Sequence, residues 1–170
     1  MEGIAISTVE TMTFRHPEIQ DGKKIWELVK SIDVLDLNSS YYYLILCEYF
    51  STTCLIAEKE GDIVGFVSGL RHPEDRSILF IWQVAVAESA RGEGLATSLI
   101  NKLLHSEECK DIQAIHTTIS PSNKASRALF QKLADTLGAE MTETFRFPRG
   151  LFPGHTHEAE QTYEIGPIRR

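Results

Sequence analysis

Residues 80–104 constrain this chain more than any other stretch. Phe80-Ile81-Trp82-Gln83-Val84-Ala85-Val86 is an apolar run that reads as a strand buried on both faces. Arg91-Gly92-Glu93-Gly94-Leu95-Ala96 follows, and then Thr97 to Leu104, where Leu95, Leu99, Ile100 and Leu103 make one apolar helical stripe. A strand, a short glycine-bearing loop and a helix N-terminus together form an anion cradle. The first helical turn has N–H groups without internal partners and carries the positive end of the helix dipole. Glycines let the loop bring further backbone donors to the same anion. A Walker loop is excluded, because neither Gly-Lys-Ser nor Gly-Lys-Thr occurs. A dinucleotide fingerprint is excluded as well, since it needs three spaced glycines and the loop has Gly92 and Gly94 alone.

The 170 residues suit one domain over 1–170, long enough to bury a sizeable core. With 42% hydrophobic and 24% charged residues, the composition is that of a soluble globular protein. A net charge of -7 argues against nucleic acid as a partner and suits a substrate bearing positive charge. Cys47, Cys54 and Cys109 are few, odd in number and without metal-type spacing, so reduced thiols are expected. No apolar run approaches membrane-spanning length, and Met1-Glu2-Gly3-Ile4 lacks the regions of a signal peptide. A cytoplasmic protein with no membrane partner is the expectation.

The remaining elements read in order. The first dozen residues are polar and expected to be loose. Thr13-Phe14-Arg15 forms a short strand ended by Pro17, and Asp21 caps a helix whose apolar face is Ile25, Leu28, Val29 and Ile32. Ser39 and Ser40 cap a second helix through Tyr42 to Cys47, although that aromatic run also fits a strand. Segments 53–58 and 63–68 flank Glu60-Gly61-Asp62 as a hairpin. Pro73 lies in the loop before the strand at 78–86, and a helix over 94–106 leads to a strand at 113–119. Asn123 or Ser122 caps a helix bearing Leu129, Leu133 and Leu137, which Gly138 stops. Strands near 139–147 and 160–166 close the chain around a Pro/Gly-rich loop at 148–156. This order predicts an α/β fold on one sheet, antiparallel at its start and parallel where helix 94–106 joins two strands.

Arg91, Gly94 and Ala96 match the Arg/Gln-x-x-Gly-x-Gly/Ala loop, and the chain resembles the GNAT acyl-CoA N-acyltransferases. Asn123-Lys124-Ala125-Ser126-Arg127-Ala128-Leu129-Phe130-Gln131-Lys132-Leu133 is similar to a second signature of that family, and the order of elements agrees over nearly the whole chain. The resemblance implies the GNAT fold, a central mixed sheet of about seven strands with helices on both faces. It implies acetyl-CoA as cosubstrate and no metal. The pyrophosphate would lie on the loop and first turn formed by Arg91, Gly92, Glu93, Gly94, Leu95, Ala96 and Thr97. Val84, Ala85 and Val86 would pair with the pantetheine arm, Asn123 would lie near that arm, and Ser126 and Lys132 near the phosphates. Many relatives carry a tyrosine that protonates the departing thiolate where this chain has Phe130. Another group or water then serves as acid, or the thiolate leaves unassisted, as a thiol pKa of about 8.5 allows.

Other segments narrow the resemblance. Leu35-Asp36-Leu37-Asn38-Ser39-Ser40-Tyr41, Thr117 to Asn123, and Leu151-Phe152-Pro153-Gly154-His155-Thr156-His157-Glu158 are similar to segments of the L-2,4-diaminobutyrate acetyltransferases of ectoine synthesis. Val34 stands where many members have proline. Diaminobutyrate carries two ammonium groups and one carboxylate at neutral pH. Asp33, Asp36 and Glu158 are candidate acceptors for the amines, and Asn38, Ser39 and Ser40 candidate donors to the carboxylate. The attacking amine must lose a proton, because ammonium has no lone pair. Glu158 is the expected base, acting directly or through water. His155 is expected in the substrate pocket or orienting it, and His157 at the surface. Trp82 is a candidate pocket wall, and Tyr43 a candidate contact among three tyrosines that mainly pack. Two rival readings are a GNAT enzyme acting on another small amine and a non-catalytic acyl-CoA-binding module. A homodimer is expected, because exposed edge strands in this fold are often paired.

Overall fold

The computed structural model describes residues 11–169. The expectation of a loose N-terminus falls mainly on residues 1–10, which lie outside the described residues. The elements are β1 (Thr13–Arg15), α1 (Gly22–Lys30), α2 (Ser40–Tyr49), β2 (Cys54–Lys59), β3 (Asp62–Arg71), β4 (Ile78–Val86), α3 (Leu95–Leu104), β5 (Ala114–Ile119), α4 (Lys124–Leu137), β6 (Glu140–Phe147) and β7 (Glu160–Gly166). They build one seven-stranded sheet in the order β1-β2-β3-β4-β5-β7-β6, in which β4 and β5 run parallel and the other neighbours antiparallel.

Local chemistry accounts for most boundaries. Glu60 and Gly61 both have positive φ (52° and 85°), the pairing that a two-residue hairpin turn between β2 and β3 requires. Ser39 Oγ accepts the Tyr42 N–H at 3.3 Å, so 40–49 is a helix and not a strand. Asn123 Oδ1 accepts the Ser126 N–H at 3.0 Å and caps α4. Asp21 precedes α1 but does not cap it. Its carboxylate takes a bidentate pair from Arg15 (2.7 and 3.0 Å) and the Glu18 N–H, and a charged fork outcompetes the helix amides.

Two cores lie on opposite faces of the sheet. Leu99, Leu103 and Leu133 from α3 and α4 cover one face, and Ile25, Val29 and Tyr43 from α1 and α2 cover the other. The three cysteines are buried, and burial pushes the Cys54 thiol up to about 12.

The centre of the sheet is irregular where function needs it. β4 was expected to be buried on both faces, yet Trp82 is 45% exposed. Gly69 pairs with Ile81 and Ser68 with Gln83, so Trp82 is an extra residue in the β4 ladder, a β-bulge. The bulge reverses the facing of the strand. Leu79 and Ile81 before it enter the α3/α4 core, whereas Ala85 after it enters the α1/α2 core. Pairing of β4 with β5 ends at Ile81↔Thr117, although each strand continues beside its other neighbour. The two parallel strands therefore diverge, and the split between them is left open.

Candidate active site

The split opens into two adjoining recesses. The first is a cleft of about 240 Å³ lined by Asp36, Trp82, Gln83, Val84, residues 117–120, Asn123, Ser126, Phe130, Phe152, His157 and Glu160. The second is a groove of about 360 Å³ bordered by Val86, the 91–97 loop and one face of α4. Ala87 N–H donates to Val64 at 2.8 Å, so the alternation of an antiparallel ladder turns the peptide groups of Val84 and Val86 away from β3 and toward the split. The Val86 carbonyl there accepts Arg91 Nε at 3.2 Å, which ties the loop to the end of β4.

The groove has the properties of an anion cradle. Gly92 and Gly94 have φ of 84° and 75°, and Gly94 forms the N-cap of α3 in the left-handed conformation. The first helical bond runs from Ser98 N–H to the Gly94 carbonyl at 3.0 Å, so the helix provides no partner for the amides of Leu95, Ala96 and Thr97. A Cβ on Gly92 or Gly94 would meet no protein atom within 4 Å, because both residues border the open groove. Arg91, Gly92, Gly94, Leu95, Ala96 and Thr97 line it, whereas Glu93 is exposed and outside the lining.

On α4 the expected pair separates. Lys132 lines the groove, but Ser126 lines the cleft with Asn123 and Phe130. Six residues at about 100° each place Ser126 and Lys132 about 120° apart around the helix. Ala125, Ala128, Leu129 and Lys132 make the stripe that faces the groove.

The acceptor end joins segments far apart in the chain. Gln83, buried inside the apolar run, accepts Tyr43 Oη–H at 3.0 Å and donates Nε2–H to the Asp36 carbonyl at 2.7 Å. It fastens the loop before α2 to the bulge. The Asp36 carboxylate meets His157 Nε2 at 2.9 Å, which joins that loop to the one before β7. His157 stacks on Phe152 at 4.4 Å. The expectation of a surface His157 is corrected, since Asp36, Phe152 and the Glu158 carbonyl, 2.7 Å from its Nδ1, hold it in the cleft wall. The Glu158 carbonyl and the Asp36 carboxylate hold its pKa above the usual imidazole value. Trp82 lines the cleft edge-to-face with Tyr42 at 4.9 Å. Burial raises the Tyr42 phenol, which makes it a poor proton donor.

Other expected acceptor-site residues stand elsewhere. Asp33 is exposed and outside the lining, Asn38 is half-buried, and Ser39 spends its hydroxyl on the α2 cap. Tyr43 is fully buried and does not line the cleft, which it reaches through its hydrogen bond to Gln83. The His155 side chain lies outside what the structure describes. Glu158 is exposed, and its Oε2 accepts the Ser122 N–H at 3.1 Å. Gln83, Phe152 and Glu160 enter the site without having been singled out. A glutamine inside an apolar run is a signal for a buried hydrogen-bond anchor. Nothing local distinguishes Glu160 from Glu158.

A bulged strand split from its parallel neighbour, with an amide cradle at the next helix, defines an acyl-CoA-dependent transferase. Residues 23–134 match the acetyltransferase (GNAT) family, and the chain belongs to it. The resemblance extends to particular members. The chain is 45% identical to the L-2,4-diaminobutyric acid acetyltransferase of Shouchella clausii, over 99% of this chain and 93% of that one. It is 47% identical to the enzyme of the same name from Virgibacillus pantothenticus, over 91% and 97%. Its fold matches the diaminobutyrate acetyltransferase of Paenibacillus lautus, solved with L-2,4-diaminobutyric acid and coenzyme A, at a TM-score of 0.90 and 44% identity, covering 95% and 98%.

Proposed function

We propose that this protein is a single-domain, cytoplasmic acetyltransferase that moves the acetyl group of acetyl-CoA to the γ-amine of L-2,4-diaminobutyrate, as in ectoine synthesis. The observation that carries the reading is the junction of the two recesses along one strand. Val84 borders the carboxylate-bearing cleft and Val86 the amide-lined groove, so a phosphate anchored at Gly92–Thr97 and an amine held near Asp36 share the β4 edge. Full-length relatives named for this reaction support the substrate. Asp36 and Glu160 give the cleft acceptors for ammonium groups, and Asp33 adds negative charge nearby in sequence. We assign the substrate carboxylate to Asn38 and Ser40 at the start of α2. Acetyl-CoA supplies an activated acetyl group, and the chain supplies its placement.

The test is release of coenzyme A thiol from acetyl-CoA over a panel of small amines. Diaminobutyrate is expected to have the highest kcat/KM. A polyamine or another amino acid well above it would reassign the substrate, and no turnover with any amine would favour a binding module.

The leaving group needs no tyrosine. Phe130 is 4% exposed and lines the cleft. Phe130→Tyr is expected to fold normally and to change kcat by less than about threefold. A gain of about a hundredfold, or about 2.7 kcal/mol of barrier, would mean that thiolate protonation limits the natural enzyme.

The far edge of the sheet suits a second copy of the chain. On β6, Phe145 and Phe147 are 56% and 40% exposed and pack edge-to-face on each other, and Leu151 beyond them is 65% exposed. Light scattering is expected to return twice the chain mass, and Phe145→Glu to return one chain mass.

A further inference from the structure

Resting on the acetyl-transfer reading above, we propose that Glu160 receives the proton of the acceptor amine, and that His157 and Asp36 continue the proton path to solvent. The expected base, Glu158, has an exposed carboxylate outside the cleft lining, with one oxygen committed to the Ser122 amide. Glu160 begins β7 and borders the cleft beside the split. Side-chain exposure rises along the series, 19% at Glu160, 29% at His157 and 83% at Asp36.

The imidazole geometry makes the series directional. His157 Nδ1 lies 2.7 Å from the Glu158 carbonyl, which can only accept, so Nδ1 keeps its hydrogen. Nε2 is then the nitrogen that gains and loses a proton. It stands 3.9 Å from Glu160 Oε1 and 2.9 Å from Asp36 Oδ2, between the inner carboxylate and the outer one. The inner gap exceeds a hydrogen bond, so transfer needs a small rotation of the Glu160 side chain. Stacking on Phe152 fixes the ring plane.

The charges that face Glu160 suit the role. Burial raises its carboxyl, His157 and a hydrogen bond from Thr118 oppose that, and Asp36 and Glu158 add to it. A carboxylate of raised pKa is a stronger base, and so a better proton acceptor, than an ordinary one.

The step balances. The γ-ammonium gives one proton to Glu160, and the freed lone pair forms the C–N bond to the acetyl carbon. The nitrogen of the adduct sheds a second proton, the C–S bond breaks, and its electron pair stays on sulfur. The sulfur takes up one proton, so ammonium and thioester become amide, thiol and one proton for solvent.

Glu160→Gln keeps shape and hydrogen bonding without basicity. It is expected to lower kcat for diaminobutyrate by about 10²–10⁴ and to abolish the acid limb of the kcat–pH profile. The acetyl-CoA KM is expected to stay within about threefold. His157→Gln removes the imidazole whose charge, when protonated, lowers the Glu160 carboxyl, so its acid limb should move to higher pH. Turnover by Glu160→Gln within about threefold of wild type, or the large loss appearing in Glu158→Gln instead, overturns the assignment. If Glu160→Gln does not fold, an unmoved acid limb in His157→Gln overturns it alone. A wild-type protein silent toward every amine contradicts the acetyl-transfer reading instead.

Discussion

Gly94→Val is expected to raise the acetyl-CoA KM by about ten- to a hundredfold, equal to about 1.4–2.7 kcal/mol of lost binding, while the protein remains folded. Two effects combine. Gly94 has φ of 75°, a conformation that strains a β-branched residue by about 1–3 kcal/mol. The new side chain also stands in the groove where phosphate oxygens approach the amides of Leu95, Ala96 and Thr97. The strain alone predicts a fall in Tm of about 2–12 °C for a chain of this size. Gly94→Ala separates the terms, since it keeps much of the strain and removes most of the bulk. Kinetics at varied acetyl-CoA and a thermal melt check both variants. An unchanged acetyl-CoA KM in Gly94→Val would remove the phosphate-cradle assignment.

Gln83→Leu is the second large effect. The glutamine is 5% exposed and joins Tyr43 Oη to the Asp36 carbonyl, so leucine leaves both without their partner. A buried polar group without a partner costs about 1–3 kcal/mol, and the fully buried Tyr43 hydroxyl bears most of it. The Tm is expected to fall by about 2–12 °C. The loop carrying Asp36 also loses its fastening, so the diaminobutyrate KM should rise by about tenfold or more while that for acetyl-CoA holds. Adding Tyr43→Phe removes the orphaned hydroxyl, and the double variant should regain part of the stability but none of the substrate affinity. A double variant no more stable than Gln83→Leu would show that the hydroxyl finds another partner.

Much of this architecture is legible in the sequence because its signals are local. The hairpin at Glu60-Gly61, the stripe of α3 and the caps at Ser39 and Asn123 each depend on a few adjacent residues, and each is present. The amide-lined loop is legible for the same reason. The acceptor end is not, because it is built from long-range contacts. Asp36 and His157 are 121 positions apart, and nothing near either residue announces the pair. The bulge at Trp82 is a single extra residue in an apolar run, too small a change to disturb the pattern, yet it turns Trp82 and Gln83 toward the helix α2 side. Asp21 shows the complementary error. It occupies a capping position, but a guanidinium six residues earlier claims its carboxylate.

In the proposed reaction one strand edge brings an activated acetyl group to the γ-amine of diaminobutyrate. The direct measurement is a proton and carbon NMR spectrum of the product formed from purified protein, acetyl-CoA and L-2,4-diaminobutyrate. One acetyl group per molecule is expected, with the amide on the γ-nitrogen and the α-proton still beside a free ammonium. Acetylation mainly at the α-nitrogen, or no acetylated product, would contradict it.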